Sequence, residues 1–187
     1  GWLYGFGMFA FGISWVHVSM DDYGFMPLWM AIPFTGIFAA FLALFYGLTF
    51  YASWRLGRSA LAFAGSWLLL DWIRGVFLTG FPWLYAGYAL IDTPFAPLAP
   101  IGGVWLLTLT TVLVSASLVR PANGRRAWHT SLAAACALLV LTAVSHTLTF
   151  TQTSGPAQKV ALVQGNIPQD IKWQLSMRER TQQIYQD

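Results

Sequence analysis

The chain has 187 residues, of which 57% are hydrophobic, 17% aromatic and only 9% charged. A typical soluble domain carries about 25% charged residues, so this composition excludes a soluble cytosolic enzyme, a disordered chain, a collagen and a coiled coil. The net charge of +3 is too small to point to nucleic acid. The single cysteine, Cys136, allows no internal disulfide and no cysteine-based metal site.

A helix needs about 20 mostly apolar residues to cross a bilayer core. Five runs meet that length: Trp2 to Met20, Leu28 to Ala52, Ala60 to Leu78, Ile101 to Val119 and Ala127 to Phe150. Charge gathers at the joints. Asp21 and Asp22 follow the first run, and Arg55 and Arg58 the second. Asp92 follows the third, and Arg120, Arg125 and Arg126 the fourth. Cytoplasmic loops attract Lys and Arg, so the basic second and fourth loops place the N-terminus in the cytoplasm. The tail from about Thr151 then lies outside, which in a bacterium is the periplasm. Gly1 already stands inside an apolar run, and Asp187 falls within a helical pattern. The chain therefore reads as a piece of a longer protein.

In the second run Thr35, Ala39, Ala43 and Gly47 recur every four residues. They predict a stripe of small residues that lets a neighbouring helix approach closely.

The third run holds Asp71 and Arg74, whose i, i+3 spacing puts them on one helix face. Two charges at a helix centre cost about 5–7 kcal/mol on the insertion scale. The nine Leu, Ile, Val and Phe residues of that run return only about 3–5 kcal/mol. Two ways out are open. Arg74 lies four residues, or about 6 Å, from Leu78 and can snorkel outward. Alternatively, Asp71 pairs with Arg74 and faces the bundle interior, either as a structural ion pair or as part of a site for a polar headgroup.

The segment Thr79–Pro100 carries Pro82, Pro94, Pro97 and Pro100 together with Phe81, Trp83, Tyr85, Tyr88 and Phe95. Proline breaks regular helix, yet unpaired backbone cannot sit in lipid. A loop or short horizontal helix at the outer interface resolves the conflict. Its aromatics either anchor it at headgroup level or shape the way in for a lipid or acyl chain. His17, His129 and His146 lack any ligand spacing, so no metal is expected. Cys136 reads as a small apolar packing residue.

The tail changes character. Residues 151–158 form a linker, with Ser154, Gly155 and Pro156 at its centre. Lys159 to Gln164 reads as a short buried strand, and Gly165 to Pro168 break it. Ser176 and Glu179 have capping-box spacing and predict a helix start, with Met177, Thr181, Ile184 and Tyr185 along one face. One strand and one helix cannot bury a core of their own.

Several blocks resemble the apolipoprotein N-acyltransferase family. They are Gly12 to Ser19 (GISWVHVS), Asp71 to Gly75 (DWIRG) with Leu78 to Leu84 (LTGFPWL), and Leu98 to Val104 (LAPIGGV). Val163 to Gln169 (VQGNIPQ) with Lys172 and Trp173 completes them. The blocks fall in family order across nearly the whole chain. The resemblance implies a mainly α fold. Residues 1–150 would be a polytopic membrane helix bundle with five spans. Residues 159–187 would be the first strand and helix of a truncated periplasmic nitrilase-like αββα domain.

The resemblance also implies an activity in the bacterial inner membrane. An acyl chain passes from a phospholipid donor to an enzyme cysteine as a thioester, then to the N-terminal diacylglyceryl-cysteine of an apolipoprotein. The family's catalytic Glu, Lys and Cys would lie beyond Asp187, so this segment alone would be inactive. Cys136 lacks the nucleophile's context. No cofactor is implied. Trp173 matches a family tryptophan of the substrate-facing region, or else packs the soluble domain's first turn on the bundle, and Trp83 would either line the lipid's access or anchor at the interface. Asp71 stands where family members often carry Glu. A non-enzymatic lipid-binding or transporter-like module is the alternative. A related membrane enzyme with another acyl acceptor is a third reading.

Overall fold

A computed structural model of the chain describes residues 1–119, 125–152, 154–172 and 174–185. The chain divides into two compact units, Gly1–Phe150 and Thr151–Asp187. The first unit contains α1 (Trp2–Gly12), α2 (Val16–Asp22), α3 (Leu28–Arg55), α4 (Ala60–Val76), α5 (Ala99–Ser117) and α6 (Arg125–Ser145). Three short 3-10 turns, Phe77–Thr79, Ala86–Leu90 and Ala96–Leu98, join α4 to α5.

Four helices of this unit are long and apolar enough to cross a membrane, and α1 with α2 makes a fifth if the bent pair counts as one span. Outward faces carry large apolar side chains such as Ile32, Ile37, Leu44, Leu48 and Leu69, while Thr35, Thr49, Ser66, Thr108, Thr110 and Ser131 are buried. Apolar outward faces, with hydroxyls set among the buried apolar residues, suit a solvent of acyl chains, where interhelical contacts favour small and hydroxylated residues. Several hydroxyls are satisfied within their own helix, while Thr35 Oγ1 and Ser66 Oγ have no hydrogen-bond partner. Thr49, Thr110, Thr111 and Thr142 each donate to the carbonyl four residues back.

The first apolar run is not one straight helix. It breaks between Gly12 and Val16, and its halves are bent by 47°. Gly12 is a poor helix former, and the Ser14 hydroxyl donates to the Phe11 carbonyl, competing with the backbone ladder. The α5 span also begins irregularly, since Gly102 and Gly103 leave helical geometry and Gly103 has φ 60°.

Neighbours in sequence pack as neighbours in space, α1 on α3, α3 on α4, α4 on α5 and α5 on α6. The small-residue stripe does what its spacing predicts. Thr35, Ala39 and Ala43 are buried, and α1 crosses so closely that a Cβ on Gly5 would lie 3.1 Å from Ala43 Cα. The indole of Trp2 donates to the Ala40 carbonyl at 3.0 Å. On α4, the Ser59 hydroxyl caps the first turn by accepting from Ala62 N at 3.0 Å.

The connection between α4 and α5 is docked by a buried hydrogen bond. Gly87 N donates to the Thr108 hydroxyl at 3.1 Å. A Cβ at Gly87 would lie 2.5 Å from the Val104 carbonyl oxygen, so only glycine allows this approach. Thr108→Val leaves that amide without an acceptor and is expected to cost about 1–3 kcal/mol. Thr110→Val removes only a bond within α5 and should cost less. Thermal unfolding of the two variants in detergent checks the order.

In the second unit the expected strand is not formed. Residues 159–164 adopt no regular structure, and Val160, Leu162 and Val163 are exposed, Leu162 by 94%. A strand exists only by pairing, and no other strand occurs among the described residues. The expected capping box is also absent. Ser176 lies inside a 3-10 turn, Leu175–Met177, and the following helix α8 (Arg178–Ile184) is capped at Met177 without a side-chain bond. A short α7 (Gln169–Lys172) precedes it.

Candidate functional site

The last turns of α4 carry the polar centre of the bundle. Arg74 and Asp71 are 1% and 2% exposed. Arg74 Nη2 donates to Asp71 Oδ1 at 2.9 Å and Nε to the same oxygen at 3.3 Å. The other carboxylate oxygen accepts from Trp67 Nε1 at 3.0 Å. Trp67, Asp71 and Arg74 stand at i, i+4 and i+7, one face of the helix. Arg74 therefore does not snorkel outward. It turns inward because the opposite charge is already held there, and because the helix C-terminus it sits on favours a cation.

The guanidinium does more than neutralise Asp71. Its Nη1 donates to the carbonyls of Phe81 and Trp83, at 2.6 and 2.8 Å. The rings of Phe9 and Tyr85 lie 5.3 and 4.8 Å from its central carbon, within cation–π range. Phe81 N in turn donates to the Arg74 carbonyl at 2.9 Å. The segment after α4 is thus folded back over the helix end.

Trp83 is half-exposed, and its ring stacks on Phe81 at 5.0 Å with Trp15 beyond it at 6.3 Å. Beneath Phe81 lies a pocket of about 480 Å³, whose wall includes Phe38, Phe41 and Phe45 of α3, with Arg74, Phe77 and Phe81 opposite. Phe38 meets Phe81 edge to face at 5.1 Å, and Phe45 meets Phe77 at 6.2 Å. Such a mainly apolar, partly open space accepts an alkyl chain and offers little to a polar solute.

The structure brings Asp71, Arg74 and the Trp83 backbone together. Trp173 and Arg120 lie outside the described residues. Cys136 is exposed on α6 rather than packed in the interior. His17 contacts the Ser14 carbonyl and His146 Nε2 the Pro94 carbonyl at 2.8 Å. Sequence reading missed Trp67, although its i+4 spacing to Asp71 was available. It also missed the α3 phenylalanines, whose i, i+3, i+7 spacing marks one face.

Residues 1–117 match the family model described as the apolipoprotein N-acyltransferase N-terminal domain. The chain belongs to the apolipoprotein N-acyltransferase family. It is 42% identical over 198 residues to an apolipoprotein N-acyltransferase of Azotobacter vinelandii, covering all of this chain and 38% of that protein. It is 42% identical over 193 residues to the enzyme of Vibrio vulnificus, with the same coverage of each. It is 41% identical over 200 residues to that of Pseudomonas putida, covering all of this chain and 39% of the relative. The chain thus spans about two fifths of the length of these curated relatives. Family membership and the apolar helices together describe a multi-pass membrane protein of an acyltransferase family.

Proposed function

We propose that this segment is the lipid-facing part of an apolipoprotein N-acyltransferase of the bacterial inner membrane. The observation that carries the reading is the identity of about 40% along the whole chain to proteins of that name. In this reading an enzyme cysteine takes an acyl chain from a phospholipid as a thioester, breaking the acyl ester and releasing a lysophospholipid. The acyl chain then moves to the α-amine of a diacylglyceryl-cysteine at an apolipoprotein N-terminus. Splitting the transfer through a covalent intermediate replaces one difficult step with two easier ones.

The residues on this chain would handle lipid rather than chemistry. The pocket under Phe81 would receive an alkyl tail, and Trp83, stacked on Phe81, would meet the phospholipid as it leaves the bilayer. Trp173 would be a second contact, on the soluble side. Residues 151–158 would act as a linker, and residues 159–187 would begin a periplasmic nitrilase-like domain that supplies Glu, Lys and Cys. The exposed Val160, Leu162 and Val163 support that reading, since an apolar run of this kind needs a sheet to cover it. The N-terminus would lie in the cytoplasm, as the basic second and fourth loops require.

The test is an N-acylation assay on the full-length gene product in phospholipid vesicles, with a diacylated lipopeptide as acceptor. A mass gain of one acyl chain on the peptide amine is the expected result. No product would leave the non-enzymatic lipid-binding module in its place. Within an active enzyme, Trp83→Ala is expected to lower kcat/KM for the phospholipid by about tenfold, the size of one lost apolar contact. An unchanged value would make Trp83 an interface anchor only.

A further inference from the structure

The sharpest asymmetry in the bundle is how Arg74 divides its donors. An ion pair with Asp71 uses Nε and Nη2. Both Nη1 bonds go elsewhere, to two carbonyls that flank Pro82. We infer that Arg74 is a positioning residue, whose Nη1 latches residues 81–83 so that the Trp83 ring stays stacked on Phe81, which walls the pocket. The inference rests on the reading of that pocket as the phospholipid's access.

The backbone of this segment would not choose its shape unaided. Leu78, Thr79 and Leu84 have φ values of 49°, 76° and 62°, in the left-handed region that disfavours non-glycine residues. Pro82 has no N–H to contribute. Nothing in residues 77–84 forms a continuous helical ladder past Thr79. The fixed elements are those attached to α4: the two carbonyls on Nη1, and Phe81 N on the Arg74 carbonyl. The guanidinium is itself locked, by Asp71 on one edge and by the Phe9 and Tyr85 rings beside its central carbon. A planar fork can hold two acceptors while its other edge holds a carboxylate, whereas an ammonium is a point charge without that fixed geometry. Rigidity thus runs from the bundle core to a half-exposed ring that no helix supports.

The labelling experiment uses the full-length protein with Cys136 and every other cysteine replaced by alanine. A nitroxide is placed at Pro82→Cys, which is exposed and lies between the two held carbonyls. Arg74→Lys keeps the charge opposite Asp71 but loses the fork. The expected result is a mobile nitroxide spectrum in place of an immobile one. In the unlabelled enzyme, a rise of about tenfold in KM for phospholipid is expected, with kcat within about twofold, the mark of lost binding rather than lost chemistry.

A second variant approaches the latch without touching its charge. A methyl at Gly75 would run into the Tyr85 hydroxyl, so Gly75→Ala pushes that ring away from the guanidinium. It should loosen the nitroxide and raise KM in the same direction. In a Trp83→Ala background, Arg74→Lys should add nothing further to KM. An immobile nitroxide in both variants overturns the inference, as does a loss of activity that follows melting temperature and falls on kcat. If the parent enzyme acylates no peptide, the acyltransferase reading fails, and the nitroxide spectra still decide whether Arg74 holds the loop.

Discussion

Replacing Asp71 with alanine is expected to destabilise the bundle by about 3–5 kcal/mol, the usual cost of removing one partner of a buried ion pair. The carboxylate accepts three hydrogen bonds, two from Arg74 and one from Trp67 Nε1. Its loss leaves a guanidinium that is 1% exposed without a counter-charge. It also leaves a buried indole N–H without an acceptor.

Asp71→Asn should cost less than alanine, since the amide still offers an oxygen acceptor but no charge. A double-mutant cycle with Arg74→Ala should show a coupling of about 0.5–3 kcal/mol. Unfolding in detergent, with yield in the membrane as a second readout, checks these values. An Asp71→Ala protein within about 0.5 kcal/mol of the parent, the range of a bland surface change, would mean that the pair carries no stability.

The ion pair shows how far sequence reasoning reaches. The spacing of Asp71 and Arg74 placed them on one face, and the insertion arithmetic required a partner for each. What the spacing left open was direction, outward to the headgroups or inward to the core. The structure turns Arg74 inward because acceptors wait there, and two of them are main-chain carbonyls, at Phe81 and Trp83. A backbone carbonyl has no side-chain signature, so no motif could announce it. The membrane helices were legible for the opposite reason, since a run of 20 apolar residues has few other fates in water.

The bend at Ile13 to Trp15 was hidden because the run stays apolar across it, and hydropathy does not distinguish one long helix from two short ones. The strand over residues 159–164 failed on different grounds. Its composition favours extended backbone, but pairing is a non-local property that a short tail cannot supply. The same limit applies at Ser176. The capping-box pattern is present, yet a 3-10 turn occupies the position where the cap would sit. Local preference fixes little where no packing selects among the alternatives.

Gly80 is the position where a single methyl should do most damage. Its backbone has φ 83° and ψ 149°, a region open essentially to glycine alone. A Cβ there would also overlap the carbonyl oxygen of Gly75, which belongs to helix α4 and cannot swing aside. Gly80→Ala therefore combines backbone strain of about 1–3 kcal/mol with a clash that must displace the turn. Phe81 follows directly, so the displacement reaches the Arg74 latch and the wall of the pocket.

Two other glycines separate these causes. Gly103 also has a positive φ, of 60°, but nothing lies within 4 Å of its would-be Cβ. Gly103→Ala should show the strain without the clash. Gly7 lies inside α1 with open space around it, and there alanine should stabilise by about 0.5–1 kcal/mol through helix propensity. The expected order of melting temperature in detergent is Gly7→Ala highest, the parent next, then Gly103→Ala, with Gly80→Ala lowest. If Gly80→Ala matches Gly103→Ala, the turn yields to the methyl, and the shape of residues 77–81 is set by local strain rather than by its close seat on α4.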